Sequence, residues 1–330
     1  MTLKLSVLDQ SFTRAFDQAP IALKETIEMA QWCEQLGYER FWVSEHHAFQ
    51  SIAGSAPEVL LAALGAATKT IRLGSGGIML PHYSAYKIAE VFSLLANLYP
   101  KRIDLGVGRA PGADMSTAIA LATDGKPKFE HFPKLVEELT SYLRDNDCAP
   151  IVSPKPPNDL PIWMLGTSTD SAELAARRGL PYNLGLFINP NAETGLIDYY
   201  KDNFKPTTAL ANPYSIITMS VFCAETEELA KASQLTFDVN FFRYLTGQRD
   251  PSKNADLLNP QQALLFPMNP QLEEFIRQRN QNRAVGNPEQ VKKVIEAVIN
   301  RYQADEVMVV TNMYYFEDRK RSFELLKEVF

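Results

Sequence analysis

Cysteine and histidine are scarce in this chain of 330 residues, which has three of the first and four of the second. Cys33, Cys148 and Cys223 are odd in number, far apart and without a C-x-x-C pair. The sequence therefore offers neither a disulfide framework nor a thiolate zinc site, and reduced, mostly buried thiols are expected. No window approaches the run of about 20 apolar residues that a bilayer-crossing helix requires. The opening MTLKLSVLDQ is interrupted by Lys4 and Asp9, so it lacks the basic start and unbroken apolar core of a secretory signal. A cytoplasmic protein is expected. Long basic runs are also missing, and the net charge is −6 with a pI near 5.4. Neither nucleic acid nor a membrane is an expected partner. There is no internal repeat and no low-complexity tract.

The composition that remains, 45% hydrophobic and 22% charged, is that of a globular chain long enough for a large core. Apolar strand-like runs alternate with helical patterns from end to end. The strand candidates are KLSVLD (4–9), RFWVSE (40–45), IRLGSGGIML (71–80), RIDLGVG (102–108), PIWMLG (161–166), PYNLGLF (181–187), YSIITMSVF (214–222) and EVMVVT (306–311). Between the first two, Ile21, Leu23, Ile27, Ala30, Cys33 and Leu36 recur near helical spacing, with Pro20 at the start and Gly37 as the stop. Similar patterns fit 57–68, 85–97, 129–144, 171–178, 191–203, 225–240, 288–302 and 318–330.

Eight parallel strands with intervening helices bury both sheet faces and lose their edges by closing, so a (β/α)8 TIM barrel spanning 1–330 as one domain is the expected fold. A doubly wound open sheet is the alternative. Its dinucleotide fingerprint is missing, because Pro111 stands in GVGRAPG (106–112) where the third glycine belongs. Two segments exceed a plain barrel: a linker at 109–128 and a polar, proline-punctuated excursion at 245–286. Long excursions at the C-terminal face are lids, binding loops, surface extensions or dimer contacts.

Active sites of such barrels form at the carboxyl ends of the strands. That rule nominates Asp9, then Glu45, His46 and His47, then Gly76, Gly77 and His82, then Arg109, then Thr167 to Ser171, then Asn189. Adjacent strand residues point to opposite faces, so one of the two neighbouring histidines faces inward. With only His82 and His131 remaining, no metal site is expected. An inward histidine suits proton transfer, or else is pinned by Glu45 for packing. The glycines of GSGG (74–77) admit either a flat ligand ring or a bulge. In GTSTDSAELAARRG (166–179), Asp170 and Glu173 have the spacing of a helix cap and its partner. The same hydroxyl-rich turn, with Arg109, offers a phosphate cradle.

Taken together, GYERFWVSEHH, GSAPEVLLAALGAATKTIRLGSGGIMLPHYSAYKIAEVFSLLANLYPKRIDLGVGRAPG and GNPEQVKKVIEAVINRYQADEVMVV resemble the luciferase-like flavin monooxygenases, the family of bacterial luciferase subunits. The likeness runs from the first strand to the last helix, and the chain looks closest to single-chain bacterial members. It implies a barrel that binds reduced FMN, delivered by a separate flavin reductase, and uses O2 to oxygenate a small organic substrate through a C4a-(hydro)peroxyflavin. His46 matches the family's catalytic histidine, with Glu45 orienting or polarising the histidine pair. Gly76 and Gly77 match a pair joined by a cis peptide beside the flavin ring. Arg109, Ser168 and Ser171 match phosphate-binding positions, and a one-residue shift of the alignment adds Thr167. Gly108 departs from light-emitting α subunits, which carry a reactive cysteine there, so light emission does not follow. The resemblance also implies a homodimer through helices near the early strands, and a 245–286 excursion that closes over the intermediate. Deazaflavin-dependent hydride transfer and non-catalytic flavin binding are the alternative functions.

Overall fold

Strand formation follows from having two apolar surfaces to fill. Along β2 (Arg40–Val43), Phe41 and Val43 pack outward among the helices, while Trp42 joins Leu8, Trp163, Ile216 and Met308 inside the barrel. The same alternation holds in β1 (Lys4–Asp9), where Leu5 and Val7 face the helices and Leu8 the interior. The computed structural model describes residues 3–15, 18–49, 51–122, 124–145, 148–248 and 257–330. The part of the 245–286 excursion at 249–256 lies outside the described residues.

The remaining strands are β3 (Arg72–Ser75), β4 (Ile78–Met79), β5 (Ile103–Gly108), β6 (Ile162–Gly166), β7 (Tyr182–Gly185), β8 (Ser215–Cys223), β9 (Ala284–Gly286) and β10 (Glu306–Val310). Parallel pairing runs β1-β2-β3-β5-β6-β7-β8-β10, and β10 returns to β1 with Lys4 opposite Glu306. This is the closed eight-stranded TIM barrel expected from the sequence. The third run, expected as one strand over 71–80, is two: a cis peptide between Gly76 and Gly77 separates β3 from β4, which pairs with β5.

Helices α1 (Ala19–Gln35), α2 (Pro57–Ala67), α3 (Ala85–Leu98), α4 (Met115–Leu121), α5 (Phe132–Arg144), α6 (Thr169–Arg178), α7 (Leu196–Asp202), α8 (Glu227–Leu245), α9 (Pro260–Leu264), α10 (Pro270–Arg279), α11 (Pro288–Tyr302) and α12 (Phe316–Val329) surround the barrel. Both segments that exceed a plain barrel carry helices of their own. The 109–128 linker contains α4, capped by Asp114 through the Thr117 N–H at 2.8 Å. The excursion contains α9 and α10, which Asn259 and Asn269 cap and whose Ala263 and Leu272 pack on Val239 and Phe242 of α8. None of the described helices is long and apolar enough to cross a membrane.

An ionic floor closes the bottom of the barrel. Arg40 donates to both oxygens of Glu306, at 2.7 and 3.0 Å, and to Asp104 at 2.8 Å. Arg72 and the Trp42 indole complete Asp104, and Ser6 and Tyr214 complete Glu306. Burial pushes the Asp104 carboxyl up, but Arg40 and Arg72 outweigh it and hold it below the usual carboxylate range. Above this floor lies the apolar layer around Trp42 and Trp163, whose rings meet edge to face at 5.2 Å. The open mouth sits on that layer.

Candidate active site

A cleft of about 480 Å³ opens where β3 to β7 end. Its wall is built from residues without side chains: Gly76, Gly77, Gly108, Gly166 and Gly185 all line it. At Gly77 a Cβ would lie 2.3 Å from Leu165 and 2.8 Å from the Gly106 carbonyl. At Gly76 it would lie 2.6 Å from Leu8. Leu8, Trp42 and Leu165 form the apolar base, so the wall and base together make a flat-sided slot.

The rim of the slot is polar. Arg109 leaves β5 and meets Asp170 of α6 at 3.5 Å, with both side chains largely exposed. Thr167 and Ser168 precede α6, and Arg177 lines the same rim. Ser171 lines the cleft as well, but its hydroxyl is already engaged: it donates to the Ser168 carbonyl at 2.6 Å and lies 3.1 Å from the Tyr182 hydroxyl. The helix cap is therefore the pair Ser168 and Ser171, with the Ser168 N–H reaching the Ser171 hydroxyl at 3.3 Å, rather than Asp170 and Glu173. Asp170 and Glu173 face the cleft instead. Deeper in, Asn183 accepts from Thr218 at 2.8 Å, and among the described residues its amide N–H has only the Met308 sulfur at 3.9 Å.

The two histidines lie beyond β2, which ends at Val43, so strand alternation does not set their directions, yet they do divide. His47 turns to Glu45, at 2.8 Å. Glu45 is fully buried and also accepts from the Tyr83 hydroxyl at 2.7 Å and the Met79 N–H at 2.9 Å. Its carboxylate thus holds His47 and β4 in place and lines neither cavity; it does not hydrogen-bond His46. The partner of His46 is Ser44, whose hydroxyl lies 3.1 Å from Nδ1. Ser44 escaped the sequence reading. His46 lines a second cavity, of about 260 Å³, whose wall continues through Phe49 and the aromatic face of α8. Burial lowers the His46 pKa to about 4, against the opposing pull of the Glu45 carboxylate and with a smaller push from His47. The ring is neutral at physiological pH. Phe187 and Ile188 line both cavities and form the partition between them.

Three other nominated residues serve packing or turns. Asp9 is buried against Arg319, the Thr26 hydroxyl and the Ser11 N–H. His82 meets the Pro111 carbonyl at 2.8 Å through Nε2. Asn189 caps its own turn at the Asn191 N–H. Among the described residues no group of three or more His, Cys, Asp or Glu is placed to hold a metal ion.

Residues 3–304 of the chain that forms this barrel match the model of the luciferase-like monooxygenase family. The chain belongs to this family. A luciferase-like monooxygenase of Escherichia coli (strain K12) is 35% identical across 99% of this chain and 97% of its own length. The N-acetyl-S-alkylcysteine monooxygenase of Bacillus subtilis (strain 168) is 46% identical over 197 residues, which cover 58% of this chain and 59% of that one. Among solved structures, apo-MsnO8 is 36% identical with a TM-score of 0.90, covering 99% of this chain and 98% of that one. More distant luciferase-like folds differ in cofactor. The oxygenating constituent of 3,6-diketocamphane monooxygenase from Pseudomonas putida, solved with FMN, has a TM-score of 0.73 at 18% identity, covering 99% of this chain and 98% of that one. An F420-dependent secondary alcohol dehydrogenase has a TM-score of 0.64 at 14% identity, covering 100% of this chain and 98% of that one. At those identities the likeness is one of fold.

Proposed function

We propose that this protein is the oxygenating component of a two-component system. It takes reduced FMN from a separate flavin reductase, and with O2 it places one oxygen atom in a small organic substrate while the other leaves as water. The observation that carries this reading is the junction of a glycine-walled, polar-rimmed slot with an aromatic cavity that holds a neutral histidine.

The residues present fit FMN. Gly76 and Gly77 admit a flat ring where any Cβ would crowd Leu8 or Leu165. Asn183 has an under-used amide N–H beside the base of the slot, suited to a ring carbonyl. Arg109, Thr167, Ser168 and the first N–H groups of α6 would hold the phosphate, with Arg177 adding charge and Ser171 shaping the turn. Reduced FMN, when bound, supplies the two electrons that activate O2. Ser44 holds His46 through Nδ1, which leaves Nε2 to hold or pass a proton toward the boundary of the two cavities. Glu45 is a positioning residue that acts through His47 and the Met79 N–H. The helices α9 and α10 lie against α8 beside the second cavity, so they restrict water there. Exposed Val59 on α2 and Leu94 and Leu98 on α3 support a homodimer through the early helices.

Anaerobic titration with reduced FMN tests the reading. Wild type is expected to bind, and Arg109→Ala to weaken reduced FMN by roughly tenfold while leaving reduced riboflavin unchanged. Mixing the complex with O2 and a substrate should then give oxygenated product. Binding of a reduced deazaflavin in place of FMN would move the protein to hydride transfer.

A further inference from the structure

The second cavity carries chemistry that a flavin site does not use. Its volume of about 260 Å³ equals that of about nine waters at ~30 Å³ each, so its occupant is small. One wall is aromatic: Phe237, Phe241 and Tyr244 stack along α8 at centroid spacings of 6.0 and 6.4 Å, and Phe49 meets Tyr244 at 5.3 Å. Into this wall α10 delivers a guanidinium. The Arg279 carbon lies 4.7 Å above the Phe241 ring, 5.5 Å from Phe237 and 5.4 Å from Phe275.

Among the described residues the charge around that guanidinium does not balance. Asp238 is fully buried and faces two arginines. Its short hydrogen bonds go to Arg283, which donates at 2.7 Å, and Gln234, which donates at 3.1 Å. Arg279 comes to 3.4 Å through Nε, and this nitrogen is buried without a hydrogen-bond partner. Among the described residues the contacts of the Arg279 guanidinium are the long 3.4 Å pairing with Asp238 and the aromatic rings. Among the described residues, one carboxylate beside two guanidinium groups leaves a net positive charge where the arginine side chains are 18% and 2% exposed. Burial lowers the Arg279 pKa, and Arg283 adds to that push while Asp238 opposes it, as expected of a cation short of counter-charge. Stacking occupies the faces of a guanidinium and leaves its N–H edge for an acceptor.

We propose that this cavity is the substrate compartment and that its occupant is a small carboxylate, held by the N–H edge of Arg279 with its apolar body along the Phe237, Phe241 and Tyr244 wall. A planar carboxylate matches the fork of the guanidinium, and the aromatic wall takes the rest of the molecule. The assignment deepens the monooxygenase reading and rests on it for the word substrate; the anion site itself is independent of flavin.

The test compares hexanoate with hexanamide, which have the same length and differ in charge, by titration calorimetry or ligand-observed NMR. Wild type is expected to bind hexanoate at least about tenfold more tightly than hexanamide. Arg279→Gln should erase the preference, and Arg279→Lys should keep part of it. Equal affinities in wild type, no hexanoate binding at millimolar concentration, or an unchanged preference in Arg279→Gln would each overturn the proposal. The wild-type comparison needs no variant, so it decides the matter even where Arg279→Gln fails to fold. Reduced-FMN titration of the same samples separates the two readings. Hexanoate preference without FMN binding sinks the flavin assignment alone, and FMN binding without the preference sinks the carboxylate site alone.

Discussion

Replacing His46 with glutamine removes a group whose protonation is linked to folding. In the folded chain burial holds its pKa to about 4, whereas in the unfolded chain a histidine titrates near about 6.5. Above the unfolded value both states carry a neutral ring, and pH has no effect through this group. As pH falls below it, the unfolded state takes up a proton that the folded state refuses, so folding stability is lost progressively until the folded ring also protonates. The window runs from about 6.5 down to about 4, and at 1.36 kcal/mol for each pKa unit the loss amounts to about 3 kcal/mol. Urea unfolding of wild type and His46→Gln at pH 7, 6, 5 and 4 measures it. Acid effects of other residues are common to both proteins and cancel in the difference, so the wild-type curve should fall more steeply by that amount. Parallel curves would refute the part-buried, neutral His46 on which the proton-transfer role depends. The pH dependence of turnover should agree, with no acidic loss attributable to His46 until the pH nears 4.

Gly77→Ala should cost roughly 1–3 kcal/mol and close the slot, because its Cβ would meet the Gly106 backbone as well as Leu165; the checks are the thermal midpoint and loss of reduced-FMN binding. Arg40→Met should destabilise by roughly 3–5 kcal/mol, since it strips the shared cation from buried Glu306 and Asp104, and the shift is read from the urea midpoint at pH 7. Leu94→Glu combined with Val59→Glu should convert the proposed homodimer to monomer in sedimentation and remove the concentration dependence of its melting temperature; an unchanged mass would place any dimer elsewhere.

The barrel was legible because its strands are short, doubly buried apolar runs separated by helices with clear periodicity. KLSVLD, RFWVSE and EVMVVT can hardly be anything but barrel strands once eight such runs occur in order. Local polarity hid the rest. MSTAIAL reads as part of a linker until Asp114 is seen to cap it, and the helices α9 and α10 begin at Asn-Pro pairs that equally mark turns. Among the residues that line the two cavities, His46, Gly76, Gly77, Arg109, Thr167 and Ser168 were within reach because strand ends converge by topology. The direction in which Glu45 turns was not, since it depends on Tyr83 and the Met79 N–H, both more than thirty residues away. Ser44 was missed because a serine before a histidine carries no spacing signal. Arg279 was hidden in EEFIRQRNQNR, which reads as a solvated stretch; its stacking arises from Phe237 and Phe241, one helical turn apart on a different helix.

The two cavities also differ in how strongly each is held, and this difference bears on the proposed two-component cycle. Arg109 is matched with Asp170 at 3.5 Å, but the side chains are 54% and 78% exposed, so the pair is worth at most about 1 kcal/mol and a phosphate displaces Asp170 at little cost. Under the proposed cycle, a cofactor that arrives reduced and leaves oxidised would be served by such a rim: charged enough to select a phosphate, and wet enough to release it. Arg279 is set the other way, inside an aromatic stack beside a second buried arginine, where an anion gains more from pairing because the alternative is an unbalanced charge out of water. On the proposed reading the two sites meet at Phe187 and Ile188, which line both cavities, and a neutral His46 in the inner one adds no charge that would hold a flavin back.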